Sequence, residues 1–300
     1  MSKTRWGLDL GGTKIEGVVL DASNYEVLSR HRVPTEGEHG YEHVMGQIGK
    51  VINLLAADVG HQPERVGLGT PGTMDPPTGL LKNCNAQSIN GKPFLRDLQA
   101  KHPFEIVMAN DANCFALAET LMGAVPEVDP EAQVVFGIIM GTGVGGGVVV
   151  NGKVINGAHG IGGEWGHNFL DASGGDCYCG RHGCVETIIA GPWLERFYAD
   201  QSGQKLPLKT IWQNYEGGQD PHAKATMDRL VHFFGLGFSN IINILDPDVV
   251  VIGGGVSNLP ILYKEGVQEL EKHVFNPRFT TPVVKPKLGD SAGVFGAALL

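Results

Sequence analysis

His167 is followed by three closely spaced cysteines, Cys177, Cys179 and Cys184, and carboxylates stand at both ends of the set, Glu164 and Glu186. One imidazole and three thiolates can close a tetrahedral zinc site with no open coordination position, which is the pattern of a structural ion rather than a catalytic one. Gly180 and Gly183 permit the tight turns that bring the thiols together. Ionised glutamates only accept hydrogen bonds, so Glu164 and Glu186 suit a hydroxyl-bearing ligand beside the metal loop. The alternative, three free thiols and a surface histidine, does not account for the glycines at the turns.

Two glycine-rich turns suggest a second kind of chemistry. Asp9-Leu10-Gly11-Gly12-Thr13-Lys14 and Gly141-Thr142-Gly143-Val144-Gly145-Gly146-Gly147 each lie between apolar, β-branched segments. The second contains G-x-G-x-x-G, but Val148-Val149-Val150-Asn151-Gly152 follows it, a strand and a hairpin turn where a dinucleotide fingerprint requires a helix. No G-x-x-x-x-G-K-[ST] occurs. What remains is a pair of β-hairpins whose amides form nests for anionic oxygens. Facing each other across a cleft, they would grip the phosphates of a nucleotide, with Gly11, Gly12, Thr13, Lys14, Gly141, Thr142, Gly143 and Gly145 at the contacts. Asp9 would then act through Mg²⁺, because a bare carboxylate repels phosphate. Gly254 and Gly255, between an apolar strand and a helical segment, would let a ring and ribose approach the backbone. Either hairpin alone reads as an ordinary tight turn; the duplication favours function.

Asp111 follows an apolar strand and opens a helix. As structure it is an N-cap, worth about 1 kcal/mol. As chemistry it is a carboxylate kept ionised by the helix end and able to accept a hydroxyl proton, with Asn110 beside it to hold a neighbouring hydroxyl.

The elements that must position these residues follow from periodicity. Trp6–Leu10, Ile15–Asp21 and Val27–Val33 predict three strands, and Val134–Met140, Gly147–Val150 and Lys153–Ile155 repeat the scheme. Tyr41–Val59 carries apolar residues at Val44, Ile48, Val51, Ile52 and Leu55, a helical spacing. Val66–Gly69, Glu105–Ala109 and Val249–Ile252 predict buried strands, and Ala112–Met122, Ala223–Leu245, Tyr263–Val274 and Ala292–Leu300 predict helices. Strands alternating with helices give an α/β protein of two similar domains, drawn as 1–122 with a closing helix at 288–300 packed back on it, and 123–287 carrying the metal loop.

Composition narrows the function classes. The chain has 300 residues, 23 basic against 32 acidic side chains and a net charge of −9, without a long basic run, so nucleic acid is not an expected partner. The 44 glycines are about twice the usual share and are clustered, not periodic. An odd cysteine count, no apolar leader and no apolar run long enough to span a bilayer predict a cytoplasmic protein with no membrane partner. Cys84 and Cys114 read as packing residues.

Together Asp9–Lys14, Pro71-Gly72, Asn110–Asn113, Gly141–Gly147, Glu164–His167, Cys177–Glu186 and Gly253–Gly255 resemble the ROK family of bacterial sugar kinases and related repressors, over essentially the whole chain. The Cys-x-Cys-Gly-x-x-Gly-Cys-x-Glu motif is the most specific of these. The resemblance implies a two-domain actin-like ATPase (ribonuclease H-like) fold with a cleft between domains, a structural Zn²⁺ on His167, Cys177, Cys179 and Cys184, and Mg²⁺ with ATP. It also implies a homodimer, sugar contacts from Glu164, His167, Glu186, Asn110 and Asp111, and Asp111 as general base. Gly79–Asn85, Asn90–Phe94, Gly163–Leu170 and Asn243–Asn258 resemble the fructokinase/mannokinase branch. The expected reaction is therefore phosphorylation of a hexose 6-hydroxyl, D-fructose first, with N-acetylglucosamine, mannose or glucose as alternatives. Side chains around Gly72, Asn85 and Trp165 would choose the sugar. A non-catalytic sugar-sensing regulator is the reading from another class; the early position of the Asp9 loop and the acidic charge oppose it.

Overall fold

The computed structural model describes residues 3–84 and 86–300. In chain order the strands are β1 (Thr4–Leu10), β2 (Lys14–Asp21), β3 (Val27–Pro34), β4 (Arg65–Thr70), β5 (Thr73–Met74), β6 (Leu81–Lys82) and β7 (Glu105–Asn110). They continue as β8 (Val134–Met140), β9 (Val144–Val150), β10 (Lys153–Val154), β11 (Val249–Gly253) and β12 (Val283–Val284). One sheet has the order β3-β2-β1-β4-β7 and another β10-β9-β8-β11-β12. Within each sheet the strands run third, second, first, fourth, fifth in chain order, so the duplication visible in the sequence is a duplication of topology. In the first sheet β1 to β3 form an antiparallel meander, while β4 and β7 join β1 in parallel. The second repeats parallel pairing from β8 through β11 to β12.

The chain forms two compact units, Met1–Pro126 with Gly147–Gly163 and Lys287–Leu300, and Glu127–Gly146 with Glu164–Pro286. The sequence boundaries at 122 and 287 had kept 147–163 with the second part; in the structure that segment groups with the first. Its contacts explain why: Gly147 lies where a Cβ would come within 2.7 Å of Ala112 O, and Asn113 Nδ2 donates to Asn156 Oδ1.

In the first unit, Tyr41–Val59 is helical and buries Val44, Ile48, Val51, Ile52 and Leu55 as their spacing predicts. Gly17 on β2 admits this helix, since a Cβ there would stand 2.4 Å from Val51 Cγ1. The closing helix, Ala292–Leu299, lies against β1, β4 and the helix Asp111–Leu121. Backbone approaches that only glycine tolerates seat it, with a Cβ at Gly67 falling 1.8 Å from Ala297 O. Buried Glu119 accepts backbone N–H groups from Ala124, Lys287 and Leu288, tying the segment before the closing helix to Asp111–Leu121. Cys84 and Cys114 are buried.

The second unit is organised on a long helix, Pro221–Leu245, capped by Asp220, whose Oδ1 accepts from His222 N and Ala223 N. On its buried face Phe234 stacks on Phe238, Phe136 of β8 packs against Phe238, and Trp165 meets Phe238 edge-on, its indole N–H donating to Gly237 O. Trp165 is thus a core residue. The predicted helix Tyr263–Val274 divides into a short 3-10 turn, Pro260–Tyr263, and a helix over Glu265–Glu271. Among the described residues, no helix is long and apolar enough to cross a membrane.

Candidate active site: two glycine hairpins, two aspartates and a thiol cluster

In the first unit, Asp9 ends β1 opposite Glu16 on β2 and Gly69 on β4. Two glycines border this carboxylate: a Cβ at Gly293 would lie 3.1 Å from Asp9 Oδ2, a tight approach, and one at Gly69 would be in ordinary contact at 3.4 Å from Oδ1. Burial, then the negative charges of Asp111 and Glu16, raise the Asp9 pKa to about 6, with Lys14 opposing. A partly buried carboxylate beside like charges is a group that a divalent cation would stabilise. The hairpin beyond it closes through Gly11 N–H to Lys14 O, and Thr35, just past β3, steadies it, donating N–H to Thr13 O and Oγ1–H to Gly11 O. At Gly12 a Cβ would meet nothing within 4 Å; the tip is open. Lys14 Nζ lies 3.3 Å from Glu16, a buried carboxylate that also pairs with Arg30 and Arg32.

At the end of β7, Asn110 rather than Asp111 caps the helix Asp111–Leu121: Asn110 Oδ1 accepts from Asn113 N at 2.7 Å. That corrects the expectation for Asp111, whose Oδ1 accepts from its neighbour Ala112 N. The residue as a whole is exposed, but protein crowds its carboxyl, and desolvation raises its pKa against the backbone bonds that lower it. The helix end favours the ionised carboxylate, and desolvation acts in the opposite direction. A raised carboxylate is the stronger base, as proton abstraction from a hydroxyl requires. Two buried polar atoms nearby lack a partner among the described residues, Thr70 Oγ1 and Asn113 Oδ1. Neither had been singled out from sequence, although Thr70 pairs with Asn110 across β4 and β7. Gly72, predicted to touch substrate, has φ 78° and lies where a Cβ would be 2.4 Å from Lys82 O, so its glycine is explained by the β5–β6 hairpin. Asn85 lies outside the described residues.

In the second unit the turn between β8 and β9 is closed by Gly141 N–H to Gly143 O, and Gly141 O accepts from Gly191 N. Beneath it sits Glu186, whose Oε2 accepts from Val144 N at 3.0 Å and would be 2.4 Å from a Cβ on Gly143. Thr142 is exposed at the tip, and Gly145 continues into β9. Gly254, at φ 83°, brings the turn after β11 beside this one; a Cβ there would strike Met140 O at 2.4 Å, and a Cβ on Gly141 would face Gly255 N at 3.8 Å. The two glycine turns of this unit are thus neighbours, as parallel pairing of β8 and β11 demands.

The thiol cluster is assembled as its spacing predicts. Ligand atoms of His167, Cys177, Cys179 and Cys184 all lie within 4.8 Å of one another. His167 Nδ1 is 3.5 Å from Cys177 Sγ, and Cys179 Sγ is 3.7 Å from Cys184 Sγ. Tetrahedral bonds of about 2.3 Å to sulfur and about 2.0 Å to nitrogen put ligand atoms about 3.5–3.8 Å apart, so the donor set fits zinc in type and spacing. Without an ion, burial pushes the Cys177 thiol up to about 12. Gly183, at φ 74°, packs where a Cβ would be 2.3 Å from Asp171 O. Glu164 precedes the turn Trp165–His167. His167 Nε2 lies 3.0 Å from Tyr178 Oη. Tyr178, 73% exposed, was missed because its role depends on the fold of the cysteine loop. His182 is exposed and pairs with Asp176 at 2.8 Å.

The sequence matches the ROK family over residues 5–300. The chain belongs to the ROK family. It is 36% identical over 307 residues to the N-acetyl-D-glucosamine kinase of Pasteurella multocida, covering 99% of this chain and 98% of that one. Among solved structures, the ROK hexokinase from Thermus thermophilus superposes with a TM-score of 0.87 at 32% identity, covering 99% of this chain and 97% of that one. The ROK family glucokinase from Streptomyces griseus, in complex with glucose and AMPPNP, gives 0.75 at 26% identity, each chain covered to 98%. The fold is the actin-like ATPase fold of ROK sugar kinases, and the chain's relatives are sugar kinases. The fructokinase branch expected from sequence receives no support from these relatives, the first of which are N-acetyl-D-glucosamine kinases.

Proposed function

We propose that this ROK protein transfers the γ-phosphoryl group of ATP to the 6-hydroxyl of a hexose, with N-acetyl-D-glucosamine as the preferred sugar. The observation that carries the reading is full-length 36% identity to N-acetyl-D-glucosamine kinases, joined to an aspartate of raised pKa at the end of β7. In the proposed reaction Asp111 accepts the hydroxyl proton, while Glu164, His167, Glu186 and Asn110 orient the sugar. The Glu186 bond to Val144 N makes that residue a link between sugar and glycine turn as well. The hairpins at Gly11–Lys14 and Gly141–Gly145, with Gly254 and Gly255, hold the nucleotide. Asp9 is the residue to hold Mg²⁺, which would neutralise phosphate charge; little covalent help is needed for such a transfer. His167, Cys177, Cys179 and Cys184 hold zinc, which stiffens the loop. A homodimer in the cytoplasm completes the reading.

D-Fructose is the second reading, favoured by the segments Gly79–Asn85 and Asn243–Asn258. A coupled ATPase assay over N-acetylglucosamine, fructose, mannose, glucose and N-acetylmannosamine tests both. The highest kcat/KM is expected with N-acetylglucosamine. Turnover of fructose alone would replace the sugar and keep the kinase; no sugar-dependent ADP release with any hexose would reject the activity and favour a sugar-sensing regulator.

A further inference from the structure

Two histidine–carboxylate groups stand apart from the thiol cluster among the described residues: Glu36, His39 and His43 in the first unit, and His232, Glu269 and His273 in the second. In the second group Lys272 Nζ already sits 2.6 Å from Glu269 Oε2 and supplies the compensating charge. The first group differs. Among the described residues the ion-pair partner of Glu36 is His43, with Nε2 at 2.8 Å from Oε2, and no lysine or arginine pairs with it.

We propose that Glu36, His39 and His43 form a second metal site, for a divalent ion of the zinc, nickel or cobalt class, with water completing the coordination. One ligand atom from each residue lies within 4.8 Å of the other two. Two imidazoles and one carboxylate are the donor mixture these ions prefer, and three protein ligands leave positions for solvent. The His39 and His43 rings meet edge to face with centroids 4.9 Å apart, which sets the two rings side by side beside the carboxylate. Bonds of about 2.0–2.2 Å would require His43 Nε2 and Glu36 Oε2 to part by about half an ångström, a side-chain adjustment.

The carboxylate is held from behind. Gln47, 8% exposed, donates Nε2–H to Glu36 Oε2 at 3.2 Å and to Pro34 O at 2.8 Å. Buried outer partners of this kind orient a ligand and are costly to remove. Glu36 itself is in the left-handed region, φ 49° and ψ 48°, which turns the segment so that Glu36 and His43, on the helix Tyr41–Val59, meet. Thr35, next in the chain, bonds Gly11 O and Thr13 O, so the segment that would hold the ion is fastened to the first glycine hairpin. The inference is independent of the sugar and of the kinase activity.

The test uses the full chain with its thiol-bound zinc retained, checked by elemental analysis. Calorimetric titration with Ni²⁺, repeated with Zn²⁺, is expected to show a further saturable equivalent, and thermal melts to rise with added ion. Co²⁺ at this site should give visible bands without thiolate charge transfer, which separates it from exchange into the cysteine cluster. His39→Ala and His43→Gln should each weaken the added equivalent by about tenfold or more, and Gln47→Leu by about tenfold. His159→Ala, a change at an exposed histidine outside the group, should leave it unchanged. Absence of the further equivalent in the wild-type protein, or its survival in the His39→Ala/His43→Gln double variant, overturns the site.

Discussion

A carboxylate buried beside other carboxylates destabilises the folded state once it ionises, and Asp9 is such a group. Its pKa of about 6 in the fold, against 3.8 as a free side chain, means the folded protein holds a proton that the unfolded chain has lost between those values. Stability from this residue is therefore present below about pH 4 and is lost as pH rises towards about 6. In metal-free protein, Asp9→Asn should raise the melting temperature relative to wild type at about pH 8, with the difference vanishing near pH 4. A difference that did not change with pH would remove the electrostatic explanation. The same variant should lose kinase activity, since the amide cannot replace the charge offered to a cation. Asp111→Asn belongs to the same scale but has another signature. It should keep zinc content and sugar binding while kcat falls by about 10²–10⁴-fold; near-normal kcat would move the base elsewhere.

At the scale of elements, the thiol loop and the glycine turn of the second unit share Glu186. It begins a short helix two residues after Cys184, accepts from Val144 N and occupies the space where Gly143 has no side chain. Gly143→Ala should force that carboxylate aside and raise KM for both sugar and ATP, whereas an ordinary hairpin turn would tolerate alanine without kinetic effect. Loss of the proposed zinc ion should act through the same link. Cys179→Ser is expected to lower zinc from a full equivalent per chain by elemental analysis and to abolish sugar binding by calorimetry, and sugar binding by a zinc-free protein would contradict the loop's proposed role. These couplings mark where sequence reading stopped. The hairpins, the cluster and the helix Tyr41–Val59 were legible because their signals are local: spacing, turn glycines and apolar period. Glu186 to Val144, Tyr178 beside His167, and Asn110 taking the cap ahead of Asp111 depend on partners that no periodicity encodes.

At the scale of the molecule, the repeated sheet order implies that each half must bury its sheet, and the first does so with the last residues of the chain. Sequence pattern predicted a closing helix; it could not reveal that Gly7 and Gly67 are the seats that receive it, or that its own Gly296 meets Cys114, because a glycine's neighbour is known only once the chain has folded back. The contacts are backbone to backbone: a Cβ on Gly67 would lie 1.8 Å from Ala297 O, and one on Gly296 1.7 Å from Cys114 O. Neither obstacle can rotate away as a side-chain tip would. Gly67→Ala should accordingly cost about 1–3 kcal/mol by chemical denaturation, although alanine is otherwise the better strand residue and should narrow the unfolded ensemble. The matching change at Gly12, where a Cβ meets nothing, should leave stability within about 0.5 kcal/mol of wild type. Equal costs at the two positions would mean that the closing helix yields freely, and that the first sheet does not depend on how closely the chain's end approaches it.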